Sequence, residues 1–155
     1  MEYKDENIIF ESESKLVEHH TEVLVVHCSA DDYQVQFEEF CKSLNKRYAR
    51  IAVPGGPHYF LAASYLPKFE WAGRRWTRFM LDKKEIPELI CIAHEGCAWY
   101  REITIGPVTI PLLKNRQLDD LQKTKKILAD MFPSTLCRLI YAKPNNMNHV
   151  VFVEL

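Results

Sequence analysis

Val23-Leu24-Val25-Val26-His27-Cys28 is an apolar run, rich in β-branched residues, that ends on two side chains able to bind metal. A run without polar alternation marks a strand buried on both faces, as in parallel sheets covered by helices. Ser29, Asp31 and Asp32 follow and supply helix N-cap candidates. The spacing of Phe37, Phe40, Cys41, Leu44 and Tyr48, with charges between, predicts the helix itself. Leu89-Ile90-Cys91-Ile92-Ala93 repeats the buried-strand pattern and ends at His94.

Between these runs, Arg50-Ile51-Ala52-Val53 reads as a short strand closed by Pro54-Gly55-Gly56-Pro57. A helical stretch follows from about His58, is interrupted near Pro67 and resumes with Phe69, Ala72, Trp76, Phe79 and Met80 on one face. Residues 99–116, with Pro107 and Pro111, carry no clear pattern. Leu118, Leu121, Leu128 and Met131 mark another helix. Residues 136–141 and 150–153 read as strands joined at Pro144-Asn145-Asn146. The expected fold class is α/β: a mainly parallel sheet flanked by helices, with a C-terminal antiparallel strand. Ligands of such sheets bind at the carboxyl ends of strands, where this sequence puts its polar residues.

A length of 155 residues, 47% hydrophobic and 26% charged, suits one globular domain with a real core. We expect residues 21–155 to form that domain. Residues 1–20, whose apolar cluster is Ile8, Ile9 and Phe10, are expected to form an N-terminal arm packing on the domain or on a partner subunit. A formal net charge of −1 removes the usual argument for nucleic acid. No apolar run reaches bilayer length, and the acidic start lacks the basic flank of a secretory signal, so the expected location is cytoplasmic, without membrane partners.

Five cysteines, at 28, 41, 91, 97 and 137, make no disulfide framework; in a reducing compartment they are core residues, nucleophiles or metal ligands. Cys41, Cys91 and Cys137 fall on apolar faces. Cys28 and His94-Glu95-Gly96-Cys97 stand at two strand ends, and H-x₂-C lets an imidazole and a thiolate reach one ion from a single turn. Two sulfurs and a nitrogen suit tetrahedral Zn²⁺. The spacing also admits Cys28 and Cys97 as small buried hydrophobes and His94 as a satisfied polar residue. His27 points to the opposite face of its strand. His58 suits either the pocket or an exposed helix start, and Glu95 either a supporting or a solvent-facing place. The basic residues from Lys68 to Lys84, with Trp71 and Trp76, read as a solvated helix face.

The order of Cys28, Arg50-Ile51-Ala52-Val53-Pro54-Gly55-Gly56, His94-x-x-Cys97 and a C-terminal strand pair resembles the β-class carbonic anhydrases, from about Val23 onward. That family carries C-x-D-x-R, R-N-A-G-G/N and H-x-x-C-G. The resemblance implies zinc on Cys28, His94 and Cys97, a small pocket beside it and a homodimer or higher oligomer. It also implies hydration of carbon dioxide, or of a similar small electrophile, through zinc-bound hydroxide. The chain departs from the pattern at Ala30, Asp32, Ala98 and Ile51, where the family has Asp, Arg, Gly and Asn. The Asp–Arg pair orients the family's zinc-bound water, so its loss leaves open a catalytically inert relative with a structural or carboxylate-closed site, acting as a binding module for a partner or small anion. Asp31 and Asp32 are the candidates to compensate, as catalytic carboxylates, as a fourth zinc ligand (Asp31) or merely as helix-start residues. Tyr100 and Arg101 are candidates to replace the missing positive charge. A metal-free redox pair of Cys28 and Cys97 is a third reading, without the usual C-x-x-C spacing.

Overall fold

The computed structural model describes residues 9–64, 67–104, 106 and 109–155. Five strands, β1 (Val23–Cys28), β2 (Tyr48–Val53), β3 (Glu88–His94), β4 (Leu136–Pro144) and β5 (Val150–Glu154), form one sheet in the order β2-β1-β3-β4-β5. All pairs are parallel except β4 with β5. The expected mainly parallel sheet with a C-terminal antiparallel strand is therefore the observed one. β1 and β3 are buried along their whole length, which is why neither alternates.

Alternation instead divides each strand between two cores. On one face Val23, Val25, Ile90 and Ile92 meet Tyr33, Phe37 and Cys41, the last two from α1 (Gln34–Ser43). On the other, Leu24, Val26, Leu89 and Cys91 meet Tyr59 and Phe60 of a 3₁₀ stretch (Gly56–Ser64) and Leu121 and Leu128 of α4 (Ile110–Met131). The chain leaves β1 for β2 on one side and β3 for β4 on the other. The carboxyl ends of β1 and β3 thus flank the point where strand order reverses, the place where open α/β sheets bind ligands. At the opposite end the buried Glu88 is held by Lys46 and by Arg138 Nη1 at 3.2 Å.

Several expectations need correction. The first helix stops at Ser43, and Tyr48 begins β2, its hydroxyl donating to Glu38 at 2.9 Å. The stretch after Gly55 is 3₁₀, and the α-helix α2 starts at Pro67 (Pro67–Arg78). Trp76 and Phe79 are solvent-exposed rather than in the core stripe; Glu70, Gly73 and Thr77 are the buried positions of α2. Residues 99–116 contain most of a short helix, α3 (Ala98–Glu102), and the start of α4, whose N-cap Thr109 side chain accepts from the Leu112 amide at 3.3 Å. Pro107 and Ile8 lie outside the described residues. Residues 9–20 of the expected arm have no helix or strand, and Ile9, Phe10 and Leu16 are at least 80% exposed. No helix among the described residues is long and apolar enough to cross a membrane.

The Pro54-Gly55-Gly56 loop locks onto the end of β1. Gly56 has φ +54°, and a Cβ there would stand 2.9 Å from the Cys28 amide nitrogen and 3.1 Å from the Ile92 carbonyl. Gly56→Ala should therefore cost about 2 kcal/mol, combining left-handed strain with overpacking against backbone. Urea denaturation checks this; a loss below about 0.5 kcal/mol, the ordinary surface scale, would refute the close approach.

Candidate metal centre

Cys28 is the last residue of β1 and His94 the last of β3, while Cys97 occupies the N-cap of α3 after Gly96, whose φ of +75° turns the chain back. Beyond the strand ends, side chains of opposite faces converge. One ligand atom from each of Cys28, His94 and Cys97 lies within 4.8 Å of the others, and all three residues are buried. The two sulfurs are 3.8 Å apart, far beyond a disulfide bond of about 2.05 Å. Two thiolates on a tetrahedral zinc at about 2.3 Å each would stand about 3.8 Å apart. His94 Nδ1 sits 3.0 Å from the Glu95 carbonyl, which fixes the ring, and Nε2 is a buried nitrogen with no hydrogen-bond partner among the described residues. A ring that donates from Nδ1 leaves Nε2 as a free ligand nitrogen. The donor set and its spacing fit a zinc ion.

The electrostatics agree with metal-ligand chemistry. The Cys28 thiol is pulled below its ordinary range by the hydrogen bond from Cys97 and next by His94, with burial opposing, while Cys97 is pushed up by the same bond and by burial. One proton is thus shared between two sulfurs, and a cation would displace it. The Gly55 amide donates to Cys28 Sγ at 3.3 Å, a bond that supports negative charge on sulfur.

The surroundings hold these residues in place. Gln117 Nε2 of α4 donates to the His94 carbonyl at 2.8 Å, and Tyr141 of β4 donates its hydroxyl to Gln117 Oε1 at 3.1 Å. The Tyr33 ring lies 4.3 Å from the His94 ring. Trp99 Nε1 donates to His58 Nδ1 at 3.2 Å, and His58 Nε2 faces Asp120 Oδ2 at 3.8 Å. A cavity of about 400 Å³ opens beside the cluster, lined by Cys28, Ser29, Ala30, Asp31, Pro54, Ala98, Trp99 and Glu102.

Of the residues singled out from sequence, Cys28, His94 and Cys97 come together. Asp31 is not in that cluster; it lies on the cavity wall, its Oδ1 accepting from the Asp32 amide at 3.1 Å. Asp32 is exposed and does not line the cavity. Neither caps α1, whose N-cap is Tyr33, because a 3₁₀ turn (Asp31–Tyr33) intervenes. His27 faces away, as expected, with its ring 4.6 Å from Phe37. His58 is buried, not an exposed helix start. Arg101 approaches Gly96, and Tyr100 is buried. Cys41 and Cys91 are fully buried, and Cys137 packs half-buried against the same core as Cys91. Gln117, Tyr141, Asp120 and Trp99, which brace the site, carry no local signal of that role in the sequence.

Comparison with protein-family models gives no match. Comparison with curated proteins gives none either. Solved structures do match. A tetrameric β-carbonic anhydrase of the filamentous ascomycete Sordaria macrospora superposes with a TM-score of 0.60 at 6% identity, over 88% of this chain and 82% of that one. β-Carbonic anhydrase isoform I of the protozoan Trichomonas vaginalis gives 0.55 at 11% identity, over 91% and 87%. The β-carbonic anhydrase CcaA gives 0.52 at 12%, over 89% and 79%. At such identities the likeness is one of fold, and the fold here is that of the β-carbonic anhydrases.

Proposed function

We propose that this chain is a zinc-binding protein in which Cys28, His94 and Cys97 hold the ion and the neighbouring cavity receives a small electrophile to be hydrated. The observation that carries this reading is the 3.8 Å separation of two sulfurs beside a buried imidazole nitrogen without a hydrogen-bond partner among the described residues, the spacing that two thiolates need on one tetrahedral ion. Zinc bound there would lower the pKa of a bound water toward neutrality. The chain's own part is to hold the donors and confine the reactant. Gly55 supports the charge of Cys28, Gln117 and Tyr141 brace the end of β3, and Trp99 and Pro54 wall the cavity. In this reading residues 21–155 are the zinc-binding domain and residues 1–20 an arm. The tetramer named for the Sordaria macrospora protein supports a homo-oligomer.

A second reading has one observation in its favour. Ala30 and Asp32 stand where the resemblance calls for an aspartate and an arginine, so the fourth zinc position lacks its usual governing pair, and Asp31, on the cavity wall, is within the same loop to close it. The protein would then be an inert relative whose zinc is structural. Two measurements decide. Purified protein should carry about one zinc per chain, and metal-free protein with unreactive sites would end both readings. Stopped-flow hydration of carbon dioxide by the zinc-loaded protein should exceed buffer. No rate above buffer, with zinc present, would leave the structural reading. In the first case Ala30→Asp with Asp32→Arg should raise the rate by roughly 100-fold, the lower end of what one positioned proton-handling group contributes.

A further inference from the structure

We infer that the cavity over the Cys28–His94–Cys97 cluster selects its ligand by charge, admitting a small uncharged or cationic molecule and repelling anions. This rests on the proposed metal centre and narrows what that centre can act on. Apart from Cys28, the ionisable residues lining the cavity are Asp31 and Glu102, and among the described residues no lysine, arginine or histidine lines it. Cations near the lining residues are committed elsewhere: Arg50, four positions before Pro54, pairs with Glu38 at 2.7 Å. Arg116 donates to the Ile103 carbonyl at 3.3 Å and to Thr104 Oγ1 at 2.7 Å, and its guanidinium stands 5.9 Å from the centre of the Tyr100 ring. Arg101 reaches toward Gly96, outside the lining. Asp31 is held by the bond from the Asp32 amide, so its charge is positioned rather than free to swing away.

The site itself supplies the independent sign of a ligand: His94 Nε2 is a buried nitrogen without a hydrogen-bond partner among the described residues, in a side chain 2% exposed. With zinc bound, two thiolates and the ion sum to zero charge, so the two carboxylates set the sign of the cavity's field. Trp99 adds an aromatic wall, pinned by its bond to His58, and aromatic faces favour cations over anions. A unit charge at about 8 Å changes anion affinity by roughly twofold at the dielectric of water and by about thirtyfold at an effective constant of 20. The cavity mouth is open to screening salt, so we expect about tenfold from the pair. A site with this wall suits hydration of a neutral electrophile and suits poorly a carboxylate or phosphate reactant.

The test uses cobalt in place of zinc, because its visible absorption reports directly on ligands entering the site. Full-length protein loaded with Co²⁺ is titrated with thiocyanate, an anion, and with imidazole at pH 8, a neutral ligand. In the double variant Asp31→Asn/Glu102→Gln, the ratio of thiocyanate to imidazole affinity should rise about tenfold over the wild type, a ratio that loss of a competing metal ligand alone would leave unchanged. Asparagine keeps the acceptor for the Asp32 amide, and Glu102→Gln alone, on an exposed side chain, should give about threefold. An equal ratio in wild type and variants would overturn the charge selection while leaving the metal centre standing. A wild type that takes up no cobalt would overturn the metal centre itself and this inference with it.

Discussion

Cys97→Ser should fold as well as the wild type and bind zinc roughly 100- to 1000-fold more weakly. Structural zinc sites bind with about 10–16 kcal/mol shared among four ligands, so one thiolate carries about 2.5–4 kcal/mol. Serine suits the position without metal. Cys97 is the N-cap of α3, where its side chain makes no capping bond, and a hydroxyl there is a favoured cap. The substitution therefore removes a ligand without removing a helix signal. Cys28→Ser and His94→Ala should weaken zinc on the same scale. Cys41→Ser is the control: Cys41 is fully buried against the α1 face of the sheet, so its loss costs stability and leaves zinc stoichiometry at one. Competition against a chromophoric chelator reads the affinities. Because Cys97 is pushed up by Cys28 and burial, wild-type affinity should also climb with pH as the one proton shared by the two sulfurs is given up. Retention of a full zinc equivalent at chelator-limiting concentrations by both cysteine variants would remove the site.

What the sequence makes legible follows from how local each signal is. Val23–Cys28 and Glu88–His94 are readable as buried parallel strands because both faces of each are covered, which leaves an uninterrupted apolar run as the trace. Their carboxyl ends are readable in turn, and Cys28, His94 and Cys97 with them. The facing of α2 is not. A stripe at helical spacing says that one face is apolar, not that all of it points inward: Phe69 packs on the core beside the buried Glu70, Gly73 and Thr77, while Trp76 and Phe79 are exposed. Tyr59, fully buried, needs room: a Cβ on Gly73 would fall 2.2 Å from its ring, and its hydroxyl pairs with Thr77 at 2.5 Å. The large residue of that contact comes from the 3₁₀ stretch, so Trp76 and Phe79 turn outward. His58 fails to be legible for a related reason, since its partners Trp99 and Asp120 are 41 and 62 positions away and no spacing rule links them.

That hidden histidine should make the fold lose stability between pH 6.5 and about 4. Burial holds the His58 imidazole down to about 4 from 6.5, the Arg116 charge adding to this and Asp120 opposing it. Its bonding says the same: Nδ1 accepts from Trp99 Nε1–H, so the ring's single proton sits on Nε2 toward Asp120, and a second proton would break the bond to the indole. The sign follows. Below 6.5 the unfolded chain takes up a proton that the native state refuses, so stability is full above 6.5 and falls as pH drops toward 4, by about 1.4 kcal/mol per pH unit and about 3 kcal/mol in all. His58→Gln removes the titration while keeping an acceptor for Trp99 and a donor toward Asp120. Urea denaturation at pH 7 and pH 5 should show the wild type losing about 2 kcal/mol more than His58→Gln. His27, also lowered by burial, and any bound metal affect both proteins equally, so the difference isolates His58. Parallel losses in the two proteins would show that the His58 ring takes up its proton as readily in the native fold as in the unfolded chain, and would overturn the prediction.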